Sequence, residues 1–240
     1  ETQRHRKDRT EGKAVRILAL VPAYNEEACI ADTITELTRT CPSVDYVVIN
    51  DGSSDSTLAI CRRNNFNYIN LPVNGGLSAA FRTGMRYAKD HGYDAAVQFD
   101  SDGQHMPQFI PTMAEALERD HADIVIASRF VTKQRGSSAR EICSKLISWL
   151  IKRSTGQVIT DPTSGMRMYN AVMIDRYARS FDFSPEPDTI SLLMRKGARI
   201  SEIQTEMRER QGGKSYLNFY NSIVYMARTC LSLLLFQWFR

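Results

Sequence analysis

The stretch FDSDGQH, residues 99–105, ends a short apolar run with two carboxylates, Asp100 and Asp102. The side-chain alternation of the predicted strand Ala95 to Phe99 stops at this point, so both carboxylates can turn toward one cation. Carboxylate oxygens suit a hard divalent cation such as Mg²⁺ or Mn²⁺, and such a cation neutralises a leaving diphosphate. The alternative is a plain polar turn, which composition alone favours for a string of this kind.

Two other predicted strands also end in polar residues. The strand Val15 to Val21 runs into PAYNEE, residues 22–27, and the strand Tyr46 to Asn50 runs into DGSSD, residues 51–55. In an open α/β sheet the ligand crevice lies outside the carboxyl ends of the strands, so three polar strand ends converge on one place. This arrangement suits a nucleotide.

Strands and helices alternate along the first half of the chain. Apolar residues recur at helical spacing from Ile30 to Cys41 and again from Leu77 to Ala88. Repeated β-α alternation predicts an α/β fold with a mainly parallel sheet flanked by helices. Further predicted elements are a helix from Ser54 or Asp55 to Arg63, a helix opened by Pro107, and strands from Tyr68 to Leu71 and from Asp123 to Ala127.

The pattern changes beyond Arg129, where the alternation of strands and helices is less regular. The predicted elements there are a polar loop from Lys133 to Arg140, a helix reaching about Thr155, a turn from Asp161 to Gly165, a helix from Asp188 to Lys196 and a strand from Arg199 to Met207.

The composition is that of an ordinary globular protein, with 240 residues of which 42% are hydrophobic and 24% charged. A chain of this length can bury one substantial core. We expect one domain at residues 15–215, a basic flexible arm at residues 1–14 and a C-terminal segment at residues 216–240. The net charge of +4 is too small to indicate nucleic-acid binding. The five cysteines are scattered without a CxxC pair, so free thiols in a reducing cytosol fit better than a zinc site or a disulfide framework.

The stretch from Ile223 to Phe239 is dense in apolar residues but is interrupted by Arg228. A helix that spans a bilayer needs about 20 mostly apolar residues, and this stretch is shorter. One interpretation is an amphipathic helix that lies in the membrane interface, anchored by Trp238 and Arg240. The other is a helix docked on the core or on a partner, and periodicity alone does not separate the two.

Four motifs, in this order, resemble the family 2 inverting glycosyltransferases of the GT-A fold. They are PAYNEE at 22–27, NDGSSD at 50–55, DSDGQH at 100–105 and SRF at 128–130. Two later stretches, DPTSGMR at 161–167 and RQGGKS at 210–215, resemble the polyprenyl-phosphate sugar transferases, which are similar to dolichyl-phosphate mannose synthase.

The resemblance covers residues 15–215 and implies an activity. Such an enzyme moves a hexose from a UDP- or GDP-sugar to polyprenyl phosphate for cell-envelope glycan synthesis, with Mg²⁺ or Mn²⁺. It works as a peripheral protein at the cytoplasmic face of a membrane. A small membrane protein or a second copy of the chain is a further partner of the kind this resemblance implies.

The resemblance also implies a role for each matching residue. The nucleotide-sugar group is Pro22, Ala23, Tyr24, Glu26, Asp51, Gly76, Asp100, Ser101 and Arg129. The metal group is Asp100, Asp102 and Gln104, and the acceptor-phosphate group is Arg129, Arg208, Arg210, Lys214 and Ser215. The catalytic group is Asp102, Asp161, Glu186 and Asp188.

The chain departs from the family pattern at two places. Asn50 stands where the family has the first acid of Asp-Asp-Gly-Ser, and Glu186-Pro187-Asp188 stands where the synthase has a Gln-x-Glu pair. The first departure bears on base specificity. The second bears on the acid or base at the acceptor side.

The acceptor's chemistry decides whether a base is needed. A phosphate monoester is largely dianionic at pH 7 and attacks unaided, but it needs cations to hold it. A hydroxyl acceptor would instead require Glu186 or Asp188 as general base. Two rival classes are a nucleotidyltransferase, whose usual Gly-rich first loop with Lys or Arg is missing, and a catalytically silent scaffold of a membrane complex.

Overall fold

Seven strands form one sheet in the computed structural model, which describes residues 15–132, 139–208 and 228–234. The strands are β1 Ile17–Ala23, β2 Asp45–Asp51, β3 Tyr68–Leu71, β4 Ala95–Gln98, β5 Ile124–Ser128, β6 Arg167–Asn170 and β7 Ile200–Gln204. The helices are α1 Ile30–Thr40, α2 Thr57–Arg63, α3 Leu77–Asp90, α4 Ile110–Arg119, α5 Ala139–Thr155, α6 Ala171–Arg179 and α7 Pro187–Arg195.

The strand order is β3-β2-β1-β4-β6-β5-β7, and only β6 runs antiparallel to its neighbours. The mainly parallel α/β sheet predicted from the sequence is confirmed. The chain builds outward from β1 through β2 to β3 and then returns to place β4 on the other side of β1. Ligands of open α/β sheets bind at such a switch point, outside the carboxyl ends of the strands.

Alternate residues of the central strands feed two cores, one on each side of the sheet. Leu18 and Leu20 of β1 pack with α3, α5, α6 and α7, whereas Ala19 and Val21 pack with α1, α2 and α4. All four side chains are fully buried, which explains why β1 is a continuous apolar run without polar alternation. The two helical layers leave the strand ends open, and that edge carries the polar motifs.

Neither β6 nor α6 is among the predicted elements. The strand β6 is only four residues long, and its first three residues are buried between β4 and β5, so it shows no polar alternation. Asn170 ends β6 and caps α6, because its Oδ1 accepts a hydrogen bond of 3.0 Å from the Met173 backbone N–H. The other predicted strands agree with the structure to within a few residues, and β3 matches at both ends.

A short helical piece of the C-terminal segment, residues 228–234, lies against the domain. Leu233 is buried in the core on the α3 side, and the Ser232 hydroxyl donates to Asp188 Oδ2 at 2.6 Å. Within the described ranges no helix is both long and apolar enough to cross a membrane. The membrane-interface role of this segment stays a prediction, and the arm at residues 1–14 lies outside the described residues.

Candidate active site

Asp100 leaves the end of β4 held by its own neighbours. Its Oδ1 accepts from Gln98 Nε2 at 3.1 Å, and its backbone N–H donates to His105 Nδ1 at 2.9 Å. A ring nitrogen that accepts this bond leaves the proton of a neutral imidazole on Nε2, which lies 3.5 Å from Asp100 Oδ2. His105 is buried and packs edge-on against Phe99, so it orients the carboxylate from behind.

Gly165 closes over the same carboxylate from the turn before β6. A Cβ built on Gly165 would lie 2.9 Å from Asp100 Oδ2 and 3.5 Å from the His105 ring. Glycine is therefore the residue that lets the turn approach Asp100 this closely. The Asp100 side chain nevertheless stays 35% exposed, so one side of it faces the open crevice.

The oxygen donors in this loop fit a hard divalent cation. Asp102 is 7% exposed, and its Oδ1 accepts a hydrogen bond of 3.1 Å from the Gln104 backbone N–H. This bond folds the loop that carries Asp100, Asp102 and Gln104. In the described part of the chain, no group of three or more His, Cys, Asp or Glu is arranged so that it could hold a metal ion by itself. Two carboxylates suit Mg²⁺ or Mn²⁺ nonetheless, because such ions commonly take their remaining ligands from substrate phosphates and water.

The end of β1 is tied to the Asp100 loop. Ser101 Oγ donates to the Pro22 carbonyl at 2.9 Å, and the Ser101 carbonyl accepts from Thr33 Oγ1 of α1 at 3.0 Å. Ser101 is buried, so the described bonds give its side chain a structural task, and its nucleotide contact stays a prediction. Tyr24 is 43% exposed beside it and can cover a ligand.

The ends of β1 and β2 are joined by reciprocal side-chain bonds. Asn25 adopts a left-handed φ of 56°, which brings its Oδ1 to within 2.8 Å of the Ser54 backbone N–H. The Glu27 N–H donates to Asp55 Oδ2 at 3.1 Å, and the Ser56 N–H donates to Glu27 Oε2 at 2.9 Å. Burial raises the pKa of Asp55, but hydrogen bonds from Thr57 and Glu27 outweigh it and hold that pKa below its usual range.

Asp51 fixes the loop that leads into α3. Its two carboxylate oxygens accept the backbone N–H groups of Gly75 and Gly76, each at 2.8 Å. Gly76 needs glycine because its φ is +77°. Asn50, which replaces the family's first acid, donates to Asn70 Oδ1 of β3 at 2.6 Å. The contact of Asp51 with a base or ribose stays a prediction.

Arg129 follows β5 and is clamped by a fully buried carboxylate. Its Nε and Nη2 donate to Asp161 Oδ2 and Oδ1 at 2.7 and 2.9 Å, and its backbone N–H also reaches Oδ2 at 3.1 Å. Asp161 is held in turn, because Glu202 of β7 accepts the Asp161 N–H at 2.9 Å and the Thr160 N–H at 2.7 Å. This planar bidentate pair presents a guanidinium with a fixed orientation at the crevice edge.

Arg167 links the Asp161 turn to the start of α7. It is 2% exposed, and its Nη2 and Nη1 donate to the carbonyls of Pro162 at 2.7 Å and Pro185 at 3.0 Å. Glu186 follows Pro185 directly, at the N-terminal cap of α7. Two of the four predicted catalytic residues, Asp161 and Glu186, therefore sit on segments braced by one buried arginine.

Arg208, which follows β7, contacts the loop that carries Asp102. The Arg208 N–H donates to the Gln104 carbonyl at 3.1 Å, and Gln104 Nε2 donates back to the Arg208 carbonyl at 3.3 Å. Its guanidinium bonds Glu36 Oε2 at 2.9 Å, and this bond raises the pKa of Arg208. The structure thus places one predicted phosphate ligand beside the predicted metal group. Arg129 of the same predicted group is described above, and Arg210, Lys214 and Ser215 lie outside the described residues.

Residues 19–178 match the model of the family "Glycosyl transferase family 2". The chain belongs to this family. The match spans the ends of β1, β2, β4 and β5, together with the Asp161 turn, so it contains most of the site described above. The family assignment made from the motifs is confirmed.

Several relatives carry the names of enzymes of polyprenyl-phosphate sugar transfer. Undecaprenyl-phosphate mannosyltransferase of Micrococcus luteus is 32% identical, over 85% of this chain and 88% of its own length. Polyprenol monophosphomannose synthase of Mycolicibacterium smegmatis is 26% identical over 86% and 82%. An undecaprenyl-phosphate 4-deoxy-4-formamido-L-arabinose transferase of Salmonella paratyphi B is 27% identical over 90% and 68%.

The fold has a solved counterpart. Glucosyl-3-phosphoglycerate synthase of Mycobacterium tuberculosis, in complex with Mn²⁺, UDP and glucosyl-3-phosphoglycerate, superposes with a TM-score of 0.68 at 20% identity. The superposition covers 93% of this chain and 80% of that one. At this identity the likeness concerns the fold alone, and it agrees with the GT-A architecture predicted for this family 2 glycosyl transferase.

Glu36, Gly165, Arg167 and Glu202 take part in the site but are not among the residues predicted from the sequence. Gly165 and Arg167 lie inside the DPTSGMR motif, so the motif itself was a signal. Glu36 and Glu202 look like ordinary charged positions on a helix and a strand, and nothing in the sequence pairs them with Arg208 and the Asp161 turn.

Proposed function

We propose that this glycosyl transferase moves one hexose from a UDP- or GDP-sugar to polyprenyl phosphate, with inversion at the anomeric carbon. The observation that carries the proposal is the Arg129–Asp161 pair, whose turn closes over Asp100 through Gly165, so that a fixed cation is held by the same turn that contacts the oxygen donors at the switch point of the sheet. The polyprenyl-phosphate relatives support the acceptor class.

The donor half of the proposal rests on the ends of β1, β2 and β4. Tyr24 is exposed enough to cover a nucleoside, while Glu26 and Asp51 are buried carboxylates near the ends of β1 and β2, which we assign to the floor of the donor crevice. We assign the diphosphate to the crevice between Asp100 and Arg129. We assign Pro22, Ala23, Gly76 and Ser101 to the same nucleotide-sugar site.

Asp100, Asp102 and Gln104 would hold a divalent metal, Mg²⁺ or Mn²⁺. When bound, such an ion neutralises charge that develops on the leaving diphosphate. His105 and Gly165 keep the Asp100 carboxylate in place for this task. The Asp102 side chain is held by the loop's own backbone, so its position does not depend on a substrate.

The acceptor half rests on cations rather than on a base. A lipid phosphate is already dianionic at pH 7, so it needs orientation in line with the departing diphosphate more than it needs deprotonation. Arg208 bonds the loop that carries Asp102, Arg129 is held by the Asp161 turn, and Arg210, Lys214 and Ser215 follow Arg208 in the sequence. Asp188 is engaged with the Ser232 hydroxyl and the Thr189 N–H, which speaks for a structural task and against a general base.

The proposal includes peripheral attachment to the cytoplasmic face of a membrane, where a polyprenyl phosphate presents its headgroup. The apolar C-terminal segment at residues 216–240 supports it. A small membrane protein or a second copy of the chain could bind the same segment.

Transfer from a panel of labelled UDP- and GDP-sugars into an organic-extractable product tests the proposal. The assay contains undecaprenyl phosphate in detergent, with Mg²⁺ or Mn²⁺ in one arm and EDTA in the other. We expect labelled lipid with one donor and none with EDTA. Nucleotide release without labelled lipid would move the acceptor to a hydroxyl, and no turnover with any donor would favour the scaffold alternative.

A further inference from the structure

Among the described helices, exposed large apolar side chains lie in the layer on one side of the sheet. The helices α1, α2 and α4, described in full, expose no large hydrophobic side chain. The opposite layer, with α3, α5, α6 and residues 228–234, carries a series of them. They are Leu77, Leu146, Trp149, Val172, Phe181, Leu231 and Leu234.

Phe181 is the most exposed of these, at 74%. It lies in the loop between α6 and α7, and the guanidinium carbons of Arg82 and Arg86 lie 4.8 and 5.5 Å from its ring centre. Arg82 also donates to the Phe181 carbonyl at 3.4 Å, and Arg86 donates to the Ala178 carbonyl at 3.2 Å. The loop is thus tied to α3 while the ring points into solvent.

More cations lie near the same loop. Arg176, Arg179 and Lys196 line a hollow together with Ser180 and Phe183, which stand on either side of Phe181 in the sequence, and Lys196 lies 6.0 Å from the Phe183 ring centre. Asp175 is paired with both Lys89 and Arg179, so that carboxylate is neutralised within the group. The Phe181 patch, defined as Phe181 with Arg82, Arg86, Arg176, Arg179 and Lys196, therefore combines one exposed aromatic ring with an excess of positive charge.

We propose that the Phe181 patch docks on the surface of an anionic lipid bilayer. An aromatic side chain gains free energy by entering the headgroup boundary, and arginines around it pair with lipid phosphates. Arg82 spends one of its five N–H donors in the described bond to the loop, and Arg86 spends one in its bond to the end of α6, which leaves donor capacity for phosphate. The inference rests on the proposed function, because a lipid-borne acceptor requires the enzyme to work at a bilayer.

The patch and the other predicted membrane element are both linked to α7. Residues 228–234 pack on the same side of the sheet, and Ser232 bonds Asp188 of α7. The Phe181 loop leads directly into α7, where Arg167 binds the Pro185 carbonyl. Docking through Phe181 would therefore bring the N-terminus of α7, which carries Glu186, toward the lipid that holds the acceptor.

Flotation of the full chain with vesicles of phosphatidylcholine, with and without phosphatidylserine, tests the proposal. The variants are Phe181→Ser, Phe181→Trp as the conservative rescue, and the pair Arg176→Gln/Arg179→Gln. The matched control is Arg62→Gln/Arg63→Gln, which removes two exposed charges from α2 on the opposite side of the sheet. Transferase activity in detergent is measured for every variant.

We expect partitioning onto anionic vesicles to fall about fivefold per arginine removed, or about 25-fold for the Arg176 and Arg179 pair. Phe181→Ser should lower it about tenfold, while Phe181→Trp and the α2 pair should bind like the parent chain. Detergent activity should be unchanged in all four, since none lies in the transfer site.

The proposal would be overturned if Phe181→Ser and Arg176→Gln/Arg179→Gln bound anionic vesicles as well as the parent chain does. An equal loss of binding in the α2 pair would also overturn it. Binding to polyglutamate in place of anionic vesicles would overturn it in favour of an acidic protein partner. The outcome is separable from the proposed function. A chain that is inactive in detergent but binds vesicles through the patch contradicts the proposed function alone.

Discussion

Replacing Gly165 by alanine tests whether the position of the Asp100 carboxylate matters for catalysis. The new Cβ would lie 2.9 Å from Asp100 Oδ2, whereas ordinary contacts begin near 3.4 Å. The carboxylate or the turn must therefore move by about 0.5 Å. A displacement of about 1 Å at a reacting centre can cost about a hundredfold in rate, so half of it should cost about tenfold in kcat.

The assay is steady-state transfer at saturating donor and acceptor, repeated over a series of Mn²⁺ concentrations. Gly165→Ala should lower kcat about tenfold and raise the Mn²⁺ concentration needed for half-maximal rate, with little change in thermal midpoint. The φ of Gly165 lies outside the left-handed region, so alanine brings no backbone strain there.

Gly84→Ala is the matched control, because its Cβ would meet Leu20 at 3.0 Å and Ile49 at 3.2 Å, in the apolar core. It should cost about 1 kcal/mol of stability, as overpacking outweighs the better helix propensity of alanine, and leave kcat of the folded enzyme unchanged. Full activity and unchanged Mn²⁺ dependence in Gly165→Ala would refute the reasoning.

Three further changes have defined outcomes. Asp102→Asn should lower kcat about a hundredfold with an unchanged thermal midpoint, and unchanged turnover would remove Asp102 from the metal group. Arg129→Met should destabilise the fold by about 3 kcal/mol in urea titration, because it strands the fully buried Asp161 carboxylate; a loss under about 1 kcal/mol would show that the other donors to Asp161 suffice. The pKa of Asp55 is lower in the folded protein than in the unfolded chain. Its hydrogen bonds therefore stabilise the fold fully above the unfolded pKa, and this stabilisation is lost as the pH falls through the folded pKa. Asp55→Asn should therefore cost about 1 kcal/mol at pH 7, with the gap to the parent chain closing in acid, and a gap independent of pH would contradict the shift.

The strands that the sequence predicts best are those with a strong local pattern. β3 lies between Asn67 and a turn that begins at Pro72, and it matches at each end, whereas β1 and β2 are apolar runs that shift by only one or two residues. The sequence does not predict β6, because its four residues, paired between β4 and β5, show no hydrophobic periodicity. Its place in the sheet depends on distant partners rather than on neighbours in sequence.

The site divides in the same way. The Asp100 loop can be predicted from adjacent residues, because two carboxylates beside a strand end are a local signal. The partners of Arg129 and Asp51 are not local. Asp161 meets Arg129 across 32 positions, and Asp51 meets Gly75 across 24. Such pairings depend on how the strands are ordered in the sheet. The sequence therefore predicts which residues belong to the site but not which hydrogen bonds they form.

The most direct test of the central claim is the mass and anomeric configuration of the lipid product made from a UDP- or GDP-hexose and undecaprenyl phosphate. The account predicts a hexosyl phosphodiester of the lipid whose anomeric configuration is opposite to that of the donor. Unmodified undecaprenyl phosphate alongside consumed donor, or a product with retained configuration, would contradict it.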